Sequence, residues 1–137
     1  MSSLASFQGL RTAIYAVAEL AKAKAWYAEV LERAPYFDEE FYVGFNVGGF
    51  ELGLVPEPDA TSERASAGVP FWGVRDAEAA YARLVSLGGT DHEPVQDVGG
   101  GVKIGAVRDP FGNVLGVVEN PHFRFEESLS HDSQVAP

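Results

Sequence analysis

Few side chains in this sequence are placed to do chemistry. Glu51 stands in a segment, Phe50 to Val55, whose other members are apolar or glycine, and Thr12 has a similar setting in Leu10 to Val17. A carboxylate so placed could act as a general base if desolvation raised its pKa, or as the polar anchor of an apolar pocket. There is no cysteine, which excludes thiolate nucleophiles, thiolate metal ligands and disulfides. The three histidines, His92, His122 and His131, fall in a weak strand, just past the last strand and in the tail, and read as surface or loop side chains. No serine lies in a nucleophile elbow. Gly99-Gly100-Gly101 lacks the Lys-Ser/Thr pair of a phosphate loop and reads, with Asp97, as a flexible hairpin tip. Asp109, in Asp109-Pro110-Phe111-Gly112, reads as a turn former rather than a reacting group. No catalytic constellation is assigned.

The elements that must position these residues follow from periodicity. Leu10 to Val17 is an apolar strand after a loose lead-in, and Glu19 to Leu31 then shifts to helical spacing. Leu20, Ala23, Tyr27, Val30 and Leu31 share one helical face. Trp26 and Tyr27 are adjacent and cannot point the same way; Tyr27 is assigned to the core and Trp26 to a partly exposed place or an interface, with core the favoured assignment for both. Phe41 to Val47 and Phe50 to Val55 are strands joined at Gly48-Gly49, a strong hairpin signal. Pro56 to Gly68 is polar and rich in breakers. A second cycle begins with a strand at Val69 to Val74. Asp76 caps a helix whose Ala80, Leu84 and Leu87 face inward, closed by Gly88-Gly89. Strands at Thr90 to Val98, Val102 to Val107 and Asn113 to Val118 complete it, and the tail after Pro121 turns polar.

The two cycles match each other. One offset lays Val17 over Val74, Glu19 over Asp76, Ala23 over Ala80 and Tyr15 over Trp72. A slightly longer one lays Gly49 over Gly112, Leu52 over Leu115, Gly53 over Gly116 and Val55 over Val118. Such self-similarity marks a duplicated βαβββ unit. The expected organisation is a lead-in at 1–9, a first module at 10–58, a linker at 59–67, a second module at 68–121 and a tail at 122–137, together forming one domain.

Two motifs on this pattern, AVAELAKAKAWYAEVL (Ala16–Leu31) and DPFGNVLGVVENP (Asp109–Pro121), resemble those of the vicinal oxygen chelate superfamily, the glyoxalase/bleomycin resistance/dioxygenase group. The resemblance spans residues 10 to 121. It implies an α+β fold of two βαβββ repeats, a curved eight-stranded mixed sheet around a central groove, often completed by a second copy. It also implies a metal site, with one ligand from the first and last strand of each module. Counting from Val17, Val74 and the turn glycine Gly112 places those ligands at Thr12, Gly53, Val69 and Gly116. Threonine is a poor neutral ligand, valine has no donor and glycine offers only backbone. A slip in register would bring Glu51 or Glu119 into play, yet the first strands still supply nothing. No metal and no cofactor is expected.

Period-2 geometry then assigns faces. Thr12, Ile14 and Ala16 share the groove face of the first strand, Glu51, Gly53 and Val55 that of the fourth. Val69, Phe71 and Gly73 take the groove face of the fifth, and Val114, Gly116 and Val118 that of the eighth. On the third strand, alternation does not say whether Tyr42 with Asn46 or Phe41 with Val43 and Phe45 faces inward, and Tyr42 is carried as the candidate. The ligand-binding set is therefore Thr12, Ile14, Tyr42, Glu51, Gly53, Val69, Phe71 and Gly116: apolar walls, one carboxylate, one hydroxyl and two glycines that leave room. The alternative, that these residues fill a core and enclose nothing, stays open.

Composition bounds the rest. The length, 137 residues, is that of one domain, 46% hydrophobic and 22% charged. No apolar run is long enough to span a membrane, and the first residues lack the pattern of a signal peptide, which suits a cytoplasmic protein. The formal net charge of −10 disfavours nucleic acid as a partner. It would suit a cationic ligand, although a solvated acidic surface explains it as well. The reading favoured is a homodimeric, metal-independent binder of a small, partly apolar molecule. It resembles resistance proteins that sequester antibiotics or toxins. The rival is a lyase, isomerase or dioxygenase with an unrecognised metal site.

Overall fold

The computed structural model describes residues 4, 5, 8, 10–58 and 69–122. The expected linker at 59–67, the tail beyond His122 and His131 within it lie outside the described residues. The element order is β1 (Thr12–Val17), α1 (Leu20–Leu31), β2 (Phe37–Glu39), β3 (Tyr42–Val47), β4 (Phe50–Pro56), β5 (Phe71–Gly73), α2 (Ala77–Ser86), β6 (Thr90–Gly99), β7 (Val102–Arg108) and β8 (Val114–Glu119). The strands form two four-stranded mixed sheets, β1-β4-β3-β2 and β5-β8-β7-β6. In each, the first strand of a module runs parallel to its last and the others pair antiparallel. This is the duplicated βαβββ arrangement that the repeat implied.

Local chemistry explains most boundaries. Gly48 and Gly49 have φ of 65° and 92°, the left-handed pair that a tight β3–β4 hairpin requires, and the Gly49 amide donates to Asn46 Oδ1. Asp76 Oδ1 accepts from the Ala79 amide at 3.0 Å and caps α2. Replacing Asp76 with alanine should therefore lower stability by about 1 kcal/mol in urea titration, with no change in ligand affinity. At its other end, α1 is closed by its neighbour. The Arg83 guanidinium donates to the carbonyls of Val30 (2.9 Å) and Glu29 (3.1 Å), a cation held at the negative end of the helix.

Most boundaries shift by a residue or two, and β5 and β2 depart furthest from the sequence expectation. Strand β5 spans Phe71–Gly73 and leaves Val69 outside it, because Pro70 has no amide to give the ladder. Strand β2 was not expected; it is three residues long and wholly exposed, so it carries no alternation to read. Strand β6 is ten residues long, with register shifts around Pro94, as suits a proline in an edge strand.

One hydrophobic cluster serves both modules. Tyr15, Val17, Ala23, Tyr27, Phe45, Leu52 and Leu54 of the first pack with Ala77, Leu84, Val107, Leu115 and Val117 of the second. Hydrogen bonds stitch the seam. The Tyr15 hydroxyl donates to the Val114 carbonyl (2.8 Å), the Asn113 side-chain amide to Ala16 (3.1 Å) and the Trp26 indole to Leu87 (2.8 Å). Trp26 is half-buried there, edge-on to Tyr27 and Phe111, so it lies where the modules meet. The helix-bearing sides of the sheets thus share the core. Among the described residues nothing covers their other faces, where Ile14 and Phe71 are exposed.

Candidate functional site

The open face of the first sheet gathers the residues that alternation selected. Thr12 lies beside Glu51 in the β1–β4 register, and Ile14 beside Gly53. On β3, Val43 and Phe45 go to the core while Tyr42 stays on the open face, which resolves the alternation left undecided. Gly44 and Gly53 stand directly opposite each other and make a side-chain-free floor. Over that floor the Tyr36 hydroxyl donates to Glu51 Oε2 at 2.6 Å, and the Tyr42 and Thr12 hydroxyls lie near enough to help lower the carboxyl pKa.

The floor explains the glycines. A Cβ on Gly44 would come within 2.6 Å of Glu51 Oε2 and 2.9 Å of the Tyr36 ring. One on Gly53 would collide with the Tyr42 hydroxyl oxygen, and one on Gly116 would meet the Phe71 ring at 2.6–2.9 Å. The sequence suggested that Gly53 and Gly116 leave room. They do, and the chain's own rings occupy it: Tyr42 in the first module, Phe71 in the second.

Electrostatics separates the acids. Burial pushes the Glu51 carboxyl up, but hydrogen bonds from Tyr36, Thr12 and Tyr42 outweigh it and hold its pKa below the ordinary value. The condition for a general base, a raised pKa, is not met. Tyr36 and Tyr42 are raised, Tyr36 chiefly by its bond to Glu51 and Tyr42 first by burial, so both phenols stay protonated. Glu119 lies on the other side of its sheet, where Oε1 accepts from the Ala77 amide at the start of α2. Asp109 is buried and shapes its turn as expected, accepting from the amides of Phe111 (2.9 Å) and Asn113 (2.8 Å). It also accepts from Tyr27 at 2.6 Å, a contact that the sequence did not suggest.

The second module's candidates lie apart from this cluster. Phe71 covers Gly116 and is 42% exposed; Ile14 across the first sheet is 54% exposed. Val69 is half-buried in the coil before β5. Among the described residues no hydrogen bond or ring contact joins Phe71, Val69 or Gly116 to the Glu51 cluster. A surface pocket of about 350 Å³ lies elsewhere, between Leu20, Lys24 and Asp38–Glu40, and the Lys24–Asp38 ion pair (2.8 Å) reaches across its lining. Tyr36, 62% exposed, and its neighbour Phe37 are site residues that periodicity could not find, since both belong to the unexpected β2 region. The aromatic run Tyr36-Phe37 in an otherwise polar stretch was the available signal.

The donor set does not suit the metal that the fold implies. Thr12, Gly53, Val69 and Gly116 offer one hydroxyl among them, already engaged with Glu51 and Tyr42, and aromatic rings stand over both glycines. His92 is exposed on β6, and the His122 ring contacts the Gly100 carbonyl at 2.6 Å. Among the described residues no three His, Asp or Glu side chains converge.

Paired βαβββ modules, joined on their helix sides and open on their sheet faces, define the glyoxalase-like class of α+β domain. The sequence matches the Glyoxalase/Bleomycin resistance protein/Dioxygenase superfamily over residues 9–117, and the chain belongs to that superfamily. No curated protein matches it in sequence. Among solved structures it is similar to a glyoxalase-related enzyme from Fulvimarina pelagi (TM-score 0.71, 22% identity, 87% of this chain and 93% of that one). It is similar also to a lactoylglutathione lyase from Agrobacterium tumefaciens (0.68, 19%, 88% and 100%). A third is a bleomycin-binding protein solved with bleomycin (0.59, 18%, 84% and 99%). At these identities the likeness is one of fold. No helix among the described residues is long and apolar enough to cross a membrane.

Proposed function

We propose that this chain is a metal-independent binding protein that captures a small, partly apolar molecule on its open sheet faces, in the manner of antibiotic- or toxin-sequestering proteins. One observation carries the reading. Where a metal-dependent relative would place its ligands, this chain has Thr12, Gly53, Val69 and Gly116, with Tyr42 and Phe71 lying over the two glycines. The result is an apolar, aromatic surface bearing one hydrogen-bonded carboxylate, the usual make-up of a small-molecule site. The bleomycin-bound neighbour uses a similar fold for that purpose.

The ligand-binding residues on this reading are Thr12, Ile14, Tyr42, Glu51, Gly53, Val69, Phe71 and Gly116, joined by Tyr36. On this reading a homodimer supplies the closing wall, with one copy's Phe71 face set against its partner's Glu51 face. Isothermal titration of tag-free protein against cationic glycopeptides and planar aromatic compounds tests this, together with elemental analysis and light scattering. Saturable binding by a metal-poor dimer is expected. Stoichiometric Ni, Zn, Fe or Mn that activates turnover of a glutathione hemithioacetal would replace this reading with an enzymatic one.

A further inference from the structure

We propose that Glu51, Tyr36, Tyr42 and Thr12 form a head-group subsite selective for an organic cation, an ammonium or amidinium attached to an apolar body. This rests on the reading that the open face binds a ligand, and it adds which end of the ligand this cluster takes.

The argument is one of hydrogen-bond polarity. An ionised carboxylate can only accept, so the Tyr36 hydroxyl hydrogen points at Glu51, and the Tyr42 hydroxyl, which helps to lower the Glu51 pKa, does so by turning its hydrogen the same way. Thr12 has a single hydroxyl hydrogen, and its partners are Glu51 and Tyr42. All three hydroxyl hydrogens are therefore turned inward. What the cluster shows an incoming molecule is lone pairs on three hydroxyl oxygens and the remaining acceptor capacity of a negative carboxylate. A group rich in N–H donors and bearing positive charge meets acceptors at every position. A carboxylate or phosphate meets none of the donors it needs, and must pull a hydroxyl away from Glu51 to gain one.

Two further features favour a cation. Among the described residues no ion pair engages Glu51. The rings of Tyr36, Phe41 and Tyr42 stand 6.0–6.2 Å from Phe37, so the tyrosine that bonds the carboxylate belongs to an aromatic cluster able to pack an apolar body and attract a positive charge. The Gly44–Gly53 floor sets the depth: any side chain there would displace the carboxylate or a ring.

The test uses three probes that share one phenyl ring: benzylammonium, benzyl alcohol and benzoate. Each is titrated into the full chain at neutral pH and followed by amide chemical shifts on β1, β3 and β4. Benzylammonium is expected to bind about tenfold more tightly than benzyl alcohol, and benzoate more weakly than either. Glu51→Gln, which keeps the shape and removes the charge, should bring benzylammonium down to the level of benzyl alcohol. Equal affinity for the three probes in the wild type would overturn the cation subsite while leaving the binding reading intact. Absence of shifts on this face with every probe would overturn both. The charge series in the wild type decides the matter even where the variant folds poorly.

Discussion

Replacing Asp109 with alanine is expected to remove about 3–4 kcal/mol of stability, lowering the urea midpoint by about 1–3 M. Asp109 is 3% exposed and holds the turn between β7 and β8 through the amides of Phe111 and Asn113. It is also the acceptor for the fully buried Tyr27 hydroxyl. Truncation strands that hydroxyl in the shared core, loosens the turn and weakens the seam between modules. A loss below about 1 kcal/mol would show that the Tyr27–Asp109 contact does not hold the halves together. Asp109→Asn keeps an acceptor for the turn and should cost less.

The same residue predicts a pH dependence. Burial raises the Asp109 pKa, and the hydrogen bonds from Tyr27 and the backbone amides oppose this without cancelling it. The folded chain therefore holds the Asp109 proton more tightly than the unfolded chain. The group's contribution to stability is greatest below the ordinary value of 3.8 and declines as pH rises through the raised folded value. Asparagine does not titrate. The stability of the wild type relative to Asp109→Asn should accordingly improve as pH is lowered through that window, the reverse of the trend for a carboxylate held ionised by a salt bridge.

The second large effect is on binding. Gly53→Ala should weaken capture of a ligand on the first sheet about tenfold or more, with a stability change of less than about 1 kcal/mol. The added methyl would collide with the Tyr42 hydroxyl oxygen and sit 2.7 Å from Cζ, so the ring must swing away from Glu51. Tyr42 is only half-buried, and its ring can move at small cost. Calorimetry paired with urea melts separates the two outcomes, and Tyr42→Phe tells loss of the hydroxyl from loss of the ring's position. Unchanged affinity in Gly53→Ala would place the ligand away from this floor.

What sequence could reveal follows from the range of each interaction. Periodic segments were legible: the helix face through Ala23 and Tyr27, the Gly48-Gly49 hairpin, the Asp76 cap and the duplicated strands all arise from neighbours in the chain. The faces of Thr12, Ile14, Glu51 and Gly53 followed from alternation alone. Strand β2 escaped because three exposed residues have no pattern, and Tyr36 was lost with it. The partners of Glu51 and Asp109 were invisible for a different reason. Tyr36 lies 15 positions from Glu51 and Tyr27 lies 82 from Asp109, so only the folded topology brings them together. That Gly53 and Gly116 were small was plain; that an aromatic ring stood over each was not.

The bond between Tyr27 and Asp109 also bears on how the two copies came to differ. Under the repeat alignment, the counterpart of Tyr27 is Leu84 and the counterpart of Asp109 is Asn46. Two identical halves meeting about a twofold axis would bury either no phenol–carboxylate bond or two of them, each acid needing its own desolvation. A single asymmetric bond of this kind is open only to halves free to mutate separately. Joined in one chain, the two halves hold a lock and its key separately, and neither half carries both.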